Sequence, residues 1–183
     1  MGALANGKVA VLFPGTGYTC ERPLLQRLAE RYEQLGYEVI RLHYGGIDFR
    51  PIATVADAVD AVKPIVRAQA AERVAGAADV VLIGKSLGTA AAAWFGAETK
   101  ANARYVLLTP IPETRPLFDA PERIVLAAIG TRDPFWNGEA LAALCREKGV
   151  RCFLVEGGDH SLAFEGMRDV HEALLEELAE NCI

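Results

Sequence analysis

The sequence lacks the features of a membrane, secreted or nucleic-acid-binding protein. Its longest uncharged stretches, residues 9–20 and 86–97, are shorter than the ~18–20 residues that a membrane-spanning helix needs. No basic segment precedes an apolar run near the start, so a signal peptide is not predicted. Lys and Arg are scattered and the net charge is −5, which gives no basic surface for nucleic acid or anionic lipid. We therefore expect a cytoplasmic protein that binds neither nucleic acid nor membranes.

Signals for metals, redox centres and nucleotides are also scarce. The four cysteines are far apart and form no C-x-x-C motif, so we interpret them as reduced, buried thiols. No His, Cys and Asp residues are spaced as in a metal site, and Gly157-Gly158 is not a dinucleotide fingerprint. We expect neither a metal nor a cofactor.

What the sequence has instead is a high apolar content in alternating segments. The 183 residues are 51% hydrophobic and 23% charged, as expected for one globular domain spanning 1–183. Short apolar runs typical of buried strands alternate with segments of helical spacing. The predicted strands are 8–13, 37–44, 79–84, 104–109, 123–130 and 150–155; the main helices are 24–35, 54–66, 86–97, 138–148 and 164–179, with Pro64 expected to kink or break the second.

This alternation predicts the fold class. Strands joined through helices form βαβ crossovers, so we expect an α/β three-layer sandwich with a mainly parallel sheet of six strands. Ligands of such sheets bind at the carboxyl ends of the strands. Loops after predicted strands carry Ser86, Asp133 and His160, in that chain order.

These three residue types suit nucleophilic catalysis. A serine hydroxyl is a poor nucleophile until a base removes its proton, and histidine can do so near neutral pH. A carboxylate then fixes the imidazole tautomer and stabilises the imidazolium. Gly84 and Gly88 flank Ser86 at two residues on either side, as a sharp strand-to-helix turn requires.

The segment around Ser86 also fits two other interpretations. Ser86 could merely cap a helix. Gly84-Lys85-Ser86 also resembles the end of a phosphate-binding loop, but that motif needs glycine where Asp79 stands. We therefore interpret Lys85 as a charge that faces solvent or the pocket rim.

The acid and the base each had competitors. Asp133 follows a strand and a turn, whereas Asp159 adjoins His160 and is better explained as a loop cap, since neighbouring side chains of an extended segment point apart. His43 ends a strand at the same edge and is a candidate for ligand contact, although a structural role is its default interpretation. His171 is expected on the last helix, in a packing role.

Further candidates adjoin these residues in the sequence. The Leu87 N–H opens a helix and is a candidate oxyanion donor, with Thr16 N–H as first and Gly17 N–H as second choice for the other donor. The alternative for residues 14–18 is an ordinary βα turn. Four residues are candidates for substrate binding, although each is more readily explained as a core or rim residue: Tyr18, Phe135, Trp136 and Leu162.

With these motifs, nearly the whole chain resembles the α/β-hydrolase superfamily. The elbow around Ser86, then Asp133 and His160, match its chain order, and the loop at Pro14 looks like its oxyanion segment with Pro14 in place of the usual histidine. The resemblance implies a minimal fold that lacks the family's first two strands. It also implies that there is no lid, because the segment 110–122, where relatives often insert one, is short and contains four prolines. The chain is similar to small single-domain esterases and to dienelactone-hydrolase-like members of the superfamily. Because the dienelactone type uses a cysteine as its nucleophile, Ser86 favours a serine esterase.

The sequence thus predicts a hydrolase for a small-molecule ester. We expect cleavage of a small carboxylic ester or thioester through an acyl-enzyme on Ser86. The alternative is an inactive binding or interaction module on the same fold.

Overall fold

The most strand-like run of the sequence, residues 80–83, lies in the middle of the sheet. In the computed structural model, which describes residues 7–183, this run belongs to strand β3 (Asp79–Lys85). Strand β3 pairs in parallel with β1 (Lys8–Phe13) on one side and with β4 (Ala103–Leu108) on the other. Because helices cover both faces of a parallel sheet, its central strands are apolar throughout.

The remaining strands extend the sheet at its two edges. Strand β2 (Glu38–Arg41) pairs with β1, and β5 (Ile124–Gly130) and β6 (Cys152–Val155) follow β4. The order is β2-β1-β3-β4-β5-β6, and every pairing is parallel. The predicted α/β class and six-stranded parallel sheet are confirmed.

Helices form a layer on each face of the sheet. Successive strand residues point to opposite faces, and β3 shows the two sides. The helices are α1 (Pro23–Gln34), α2 (Val55–Ala75), α3 (Leu87–Thr99), α4 (Gly138–Lys148) and α5 (Glu172–Asn181). Val81 and Ile83 pack with α1 and α5, whereas Val80 and Leu82 pack with α2, α3 and α4.

Pro64, which was expected to kink or break helix α2, does not break it. The helix continues through Pro64 to Ala75. Pro64 is exposed, so the Asp60 carbonyl that loses its helical donor can be hydrated. Val62 and Val66 on the opposite face are buried against the sheet and hold the helix together.

The predicted helix at 164–179 was too long. Residues 164–171 form turns, and α5 begins only at Glu172. His171 is therefore the N-cap of α5 and not a residue of its packing face, as the Ala173 N–H donates to its Nδ1 at 3.2 Å.

The proline-rich segment at 110–122 forms no lid. It contains two short 3-10 helices, Pro112–Asp119 and Pro121–Arg123. Phe118 is buried in the core, and Thr114 Oγ1 lies 2.7 Å from Thr89 Oγ1 of α3. These contacts hold the segment against the body of the fold.

The strand register brings the functional loops to one edge. Phe13 is level with Gly84, Lys85 with Leu108, and Gly130 with Val155. The loops after β1, β3, β5 and β6 therefore leave the sheet at the same edge.

Candidate active site

Ser86 occupies a strained turn between a strand and a helix. It follows the last residue of β3 and precedes the first residue of α3, with φ 55° and ψ −123°. Such a conformation is uncommon for a residue with a side chain and costs about 1–3 kcal/mol. The Ser86 N–H donates to the Leu108 carbonyl at 3.0 Å, which ties the turn to β4.

Two glycines make this turn possible because other backbone lies against them. A Cβ atom built on Gly88 would lie 2.0 Å from the carbonyl oxygen of Phe13. One built on Gly84 would lie 2.6 Å from the Cα of Thr89. Any larger residue would force apart backbone segments at these points. The G-x-S-x-G spacing is thus explained by the contacts of the turn.

The structure brings Ser86, His160 and Asp133 together. His160 Nε2 lies 2.7 Å from Ser86 Oγ, and His160 Nδ1 lies 2.7 Å from Asp133 Oδ2. A carboxylate can only accept, so Nδ1–H donates to Asp133 and leaves Nε2 to accept from the serine hydroxyl. The Asp133 side chain has no exposed surface, whereas that of His160 is 21% exposed. This geometry allows proton transfer from Ser86 to an imidazole that a buried carboxylate orients.

The Asp133 and His160 loops pack directly on each other. A Cβ atom on Gly130 would lie 2.0 Å from the Gly158 carbonyl oxygen, and the Arg132 N–H donates to that oxygen at 2.9 Å. The Phe135 N–H donates to Asp133 Oδ1 at 2.9 Å, which leaves Oδ2 for His160.

Asp159 has a different function from Asp133. Its Oδ1 accepts the N–H groups of Ser161 at 2.7 Å and Ala163 at 3.0 Å. Asp159 therefore caps the loop that carries His160, as its loop-cap interpretation predicted.

The candidate oxyanion donors lie around Ser86. Leu87 is the first residue of α3, where a helix leaves its N–H groups without helical partners. The loop after β1 contacts the turn, since a Cβ atom on Gly15 would lie 3.3 Å from Ser86 Cβ. Thr16 lines the same cavity as Ser86 and Leu87, whereas Gly17 is exposed and is not part of that lining.

That cavity has a volume of about 220 Å³ and is largely apolar. Of the four candidate substrate-binding residues, Phe135 lines it. Phe135 is 59% exposed, and its ring lies 4.4 Å from the His160 ring between centroids. The other lining residues are Thr16, Phe49, Ile52, Ala53, Thr54, Val55, Ala58, Ser86, Leu87 and Ile111.

The structure places the other three candidates elsewhere. Tyr18 and Leu162 are buried in the core, and the Tyr18 hydroxyl donates to Asp169 Oδ1 at 3.1 Å. Trp136 packs edge-on against Phe118, with 6.1 Å between ring centroids. Their nearness to the motifs in sequence does not bring these side chains into the cavity.

Sequence reasoning missed most of the cavity wall. Ile52, Val55 and Ala58 come from the start of α2 and the segment before it, and Ile111 follows β4. The available signal was weak: Val55 and Ala58 are three residues apart on one helix face, an ordinary core pattern.

A second cavity of about 280 Å³ adjoins the first at Thr16 and Phe49. His43 lines it and is exposed, with Nδ1 3.6 Å from Glu21 Oε1. Tyr44 also lines it, and the buried Tyr44 hydroxyl has no hydrogen-bond partner among residues 7–183.

Lys85 corrects the sequence interpretation. It is 1% exposed rather than facing solvent or the pocket rim. Its Nζ donates to Thr109 Oγ1 and to the His160 carbonyl, each at 2.6 Å. Because these two acceptors lie beneath the turn, the long side chain points inward from the end of β3.

Within residues 7–183, no three His, Cys, Asp or Glu residues lie close enough together to hold a metal ion. Over the same range, no helix is long and apolar enough to cross a membrane.

The parallel sheet and the serine turn at its carboxyl edge define an α/β-hydrolase type of domain. A family model described as an alpha/beta hydrolase domain matches residues 7–183, so the chain belongs to this family. No curated protein sequence matches it.

Solved structures show the same fold at low sequence identity. A serine hydrolase homologue from Coxiella burnetii is 18% identical with a TM-score of 0.65, over 97% of this chain and 84% of that one. A serine hydrolase without a lid from Xanthomonas campestris is 18% identical with a TM-score of 0.58, over 97% and 79%. Est1E of Butyrivibrio proteoclasticus, with ferulic acid bound, is 15% identical with a TM-score of 0.66, over 97% and 88%.

Replacing Gly88 should disrupt the turn. We expect Gly88→Ala to lower the free energy of unfolding by about 3 kcal/mol or more, because its Cβ would overlap the Phe13 carbonyl. Urea unfolding followed by circular dichroism measures this change. Gly17→Ala is the matched control, because its Cβ would meet no atom within 4 Å. Equal stability of the two variants would contradict the close contact at Gly88.

Proposed function

We propose that this protein is a serine hydrolase that cleaves a small carboxylic ester or thioester through an acyl-enzyme on Ser86. The observation that carries the proposal is the chain of two 2.7 Å contacts from Ser86 Oγ through His160 to the buried Asp133 carboxylate. These contacts lie at the sheet edge where ligands of this fold class bind.

Each residue has a role that its position supports. Ser86 Oγ attacks the ester carbonyl while His160 Nε2 accepts its proton. His160 then gives this proton to the departing alcohol or thiol, and a water molecule activated by the same imidazole releases the acid. Asp133 keeps the proton on Nδ1 and stabilises the imidazolium.

The oxyanion that forms during attack needs donors close to Ser86. We assign this role to the N–H groups of Leu87 and Thr16, because both residues line the cavity beside Ser86. In a protease where the effect has been measured, one such donor stabilises the transition state by about 3–4 kcal/mol. Gly17 is the weaker candidate because it lies outside that lining.

The size of the cavity supports a small substrate. Its volume of about 220 Å³ is below the roughly 300–1,000 Å³ of sites that enclose drug-sized ligands. The wall formed by Ile52, Val55, Ala58 and Ile111 is apolar and suits a short acyl group. We place the leaving group beside His160 and Phe135, because His160 must protonate it.

Labelling with a fluorophosphonate probe tests the nucleophile. We expect rapid covalent labelling of the wild type and none of Ser86→Ala, measured by intact-protein mass spectrometry. Ser161→Ala is the matched control, since Ser161 is the other serine of the chain, and it should label normally. Absence of labelling that depends on Ser86 would favour an inactive binding module.

The role of Asp133 is tested through turnover. Asp133→Asn keeps the shape of the side chain but removes the charge that holds the proton on Nδ1. We expect kcat for p-nitrophenyl acetate to fall by about 10⁴-fold, as in the corresponding protease substitution. A loss of less than tenfold in a folded variant would show that another carboxylate orients His160.

Acyl-chain preference tests the cavity. We expect kcat/KM for p-nitrophenyl esters to be highest for two to four acyl carbons and to fall for long chains, as about 220 Å³ leaves them no apolar room. Ile52→Ala enlarges the cavity and should move the optimum to longer chains. A wild type that prefers long chains would refute the assignment of this cavity to the acyl group.

A further inference from the structure

A buried ammonium group lies directly beneath the serine turn. Lys85 is 1% exposed, and its hydrogen bonds go to two neutral oxygens, Thr109 Oγ1 and the His160 carbonyl. Burial of a charge is costly unless nearby groups compensate for the lost water. A lysine in this position therefore needs an explanation beyond packing.

The contacts of Lys85 join four loops of the candidate active site. Lys85 itself precedes Ser86 in the chain. Its Nζ reaches Thr109 after β4 and His160 after β6, and it lies 5.1 Å from the centre of the Tyr18 ring in the loop after β1. This loop is folded by a hydrogen bond from the Gly15 N–H to the Tyr18 carbonyl at 3.0 Å.

Thr109 is held in an unusual conformation where it meets Lys85. Its φ is 41°, in the left-handed region that β-branched residues rarely adopt. The Thr109 N–H donates to the Ala128 carbonyl at 2.6 Å, and its hydroxyl accepts from Lys85. This strained backbone presents the hydroxyl to the ammonium group.

Burial is the largest influence on the protonation of Lys85. Burial lowers the pKa of the ammonium to about 8. The attraction of Asp133 and Asp159 acts in the opposite direction, and the repulsion of Arg22 lowers the pKa further. The other titratable groups packed around Lys85 are Tyr18 and His160. The unfolded chain binds this proton more tightly than the folded protein does. Burial of the ammonium therefore opposes folding below pH 8, and this loss of stability becomes smaller as the pH rises through the pKa that Lys85 has in the folded protein. The buried charge of Lys85 thus opposes folding at neutral pH.

We propose that Lys85 is a positioning residue of the hydrolase: its ammonium group holds the backbone carbonyl of His160 and so keeps the imidazole within hydrogen-bonding distance of Ser86. A histidine side chain has only two rotatable bonds, so the position of its backbone largely fixes that of Nε2. The ammonium also balances the buried charge of Asp133. This inference rests on the proposed function and extends it to a residue that need not touch the substrate.

The test compares Lys85→Met with wild type in steady-state ester hydrolysis. Methionine is similar in length but neutral and cannot donate to the His160 carbonyl. We expect kcat to fall by about 10²-fold, as for an active-site group displaced by about 1 Å, with KM changed far less. We measure kcat on protein that circular dichroism shows to be folded, because the variant removes the cost of burying the charge but leaves the Asp133 carboxylate and the His160 carbonyl without the ammonium group. Lys8→Met, an exposed lysine at the opposite end of β1, is the matched control and should leave kcat and KM unchanged.

Two further measurements separate positioning from a merely structural role. Thr109→Val removes one acceptor of Lys85 and should lower kcat, whereas Thr109→Ser keeps the hydroxyl and should restore it. The pH profile of wild-type kcat should decline as the pH rises through about 8, where Lys85 loses its proton, and Lys85→Met should lack this decline.

The outcomes distinguish this inference from the proposed function. A wild type without Ser86-dependent labelling overturns both. An active wild type whose kcat and pH profile are shared by Lys85→Met overturns the positioning role alone. If Lys85→Met does not fold, the Thr109 pair decides: equal kcat and equal pH profiles for Thr109→Val and Thr109→Ser overturn the positioning role, and rescue by serine supports it.

Discussion

The contact of helix α3 with the end of strand β1 is the constraint on which the rest of the site depends. At Gly88 the helix backbone lies so close to the Phe13 carbonyl that a Cβ atom would be 2.0 Å from its oxygen. This approach sets where α3 begins and therefore where the turn projects Ser86. It also brings the loop after β1 close to Ser86, since a Cβ atom built on Gly15 would lie 3.3 Å from Ser86 Cβ. A similar contact at Gly130 holds the Asp133 loop on the His160 loop. Two backbone contacts that only glycine permits thus place all the groups of the proposed mechanism.

Strain at the site is distributed among three side-chain-bearing residues with positive φ. Ser86 projects its hydroxyl from the turn, Thr109 presents a hydroxyl to Lys85, and Leu162 closes the loop after His160. Each such conformation costs about 1–3 kcal/mol and persists only where the surroundings fix it. Here the surroundings are buried: Leu162 and Thr109 are fully enclosed, and the Leu162 N–H donates to the Asp159 carbonyl at 2.9 Å. The core beneath the site therefore fixes the loop conformations that bring His160 to Ser86.

The sequence was sufficient to predict the fold and the strand-end residues but not the cavity wall. Apolar runs such as 80–83 are separated by helical segments, and this local periodicity already determines a parallel α/β sheet. Ser86, Asp133 and His160 could be found because each follows a strand. Tyr18 and Leu162 were misplaced because nearness in sequence does not reveal which way a side chain points. Ile52 and Ile111 were missed because they meet only through the packing of α2 beside α3, which no local pattern encodes. The last helix was predicted too long for a related reason. Residues 164–171 have apolar side chains at helical spacing, but α5 begins only after its N-cap, His171.

Lys85 was predicted to be exposed because lysine is almost never fully buried in proteins. The rule rests on the cost of removing an ammonium group from water, and burial here does lower the pKa of Lys85. Its hydrogen-bond partners are neutral, so compensation must come from charges farther away, and Asp133 and Asp159 supply them. The Asp133 side chain in turn has no exposed surface. An apolar residue at position 85 would avoid the cost of burying the ammonium but would remove the positive charge that lies near the Asp133 carboxylate. The departure from the burial rule is therefore confined to the candidate active site, where departures from the rules of stability are expected.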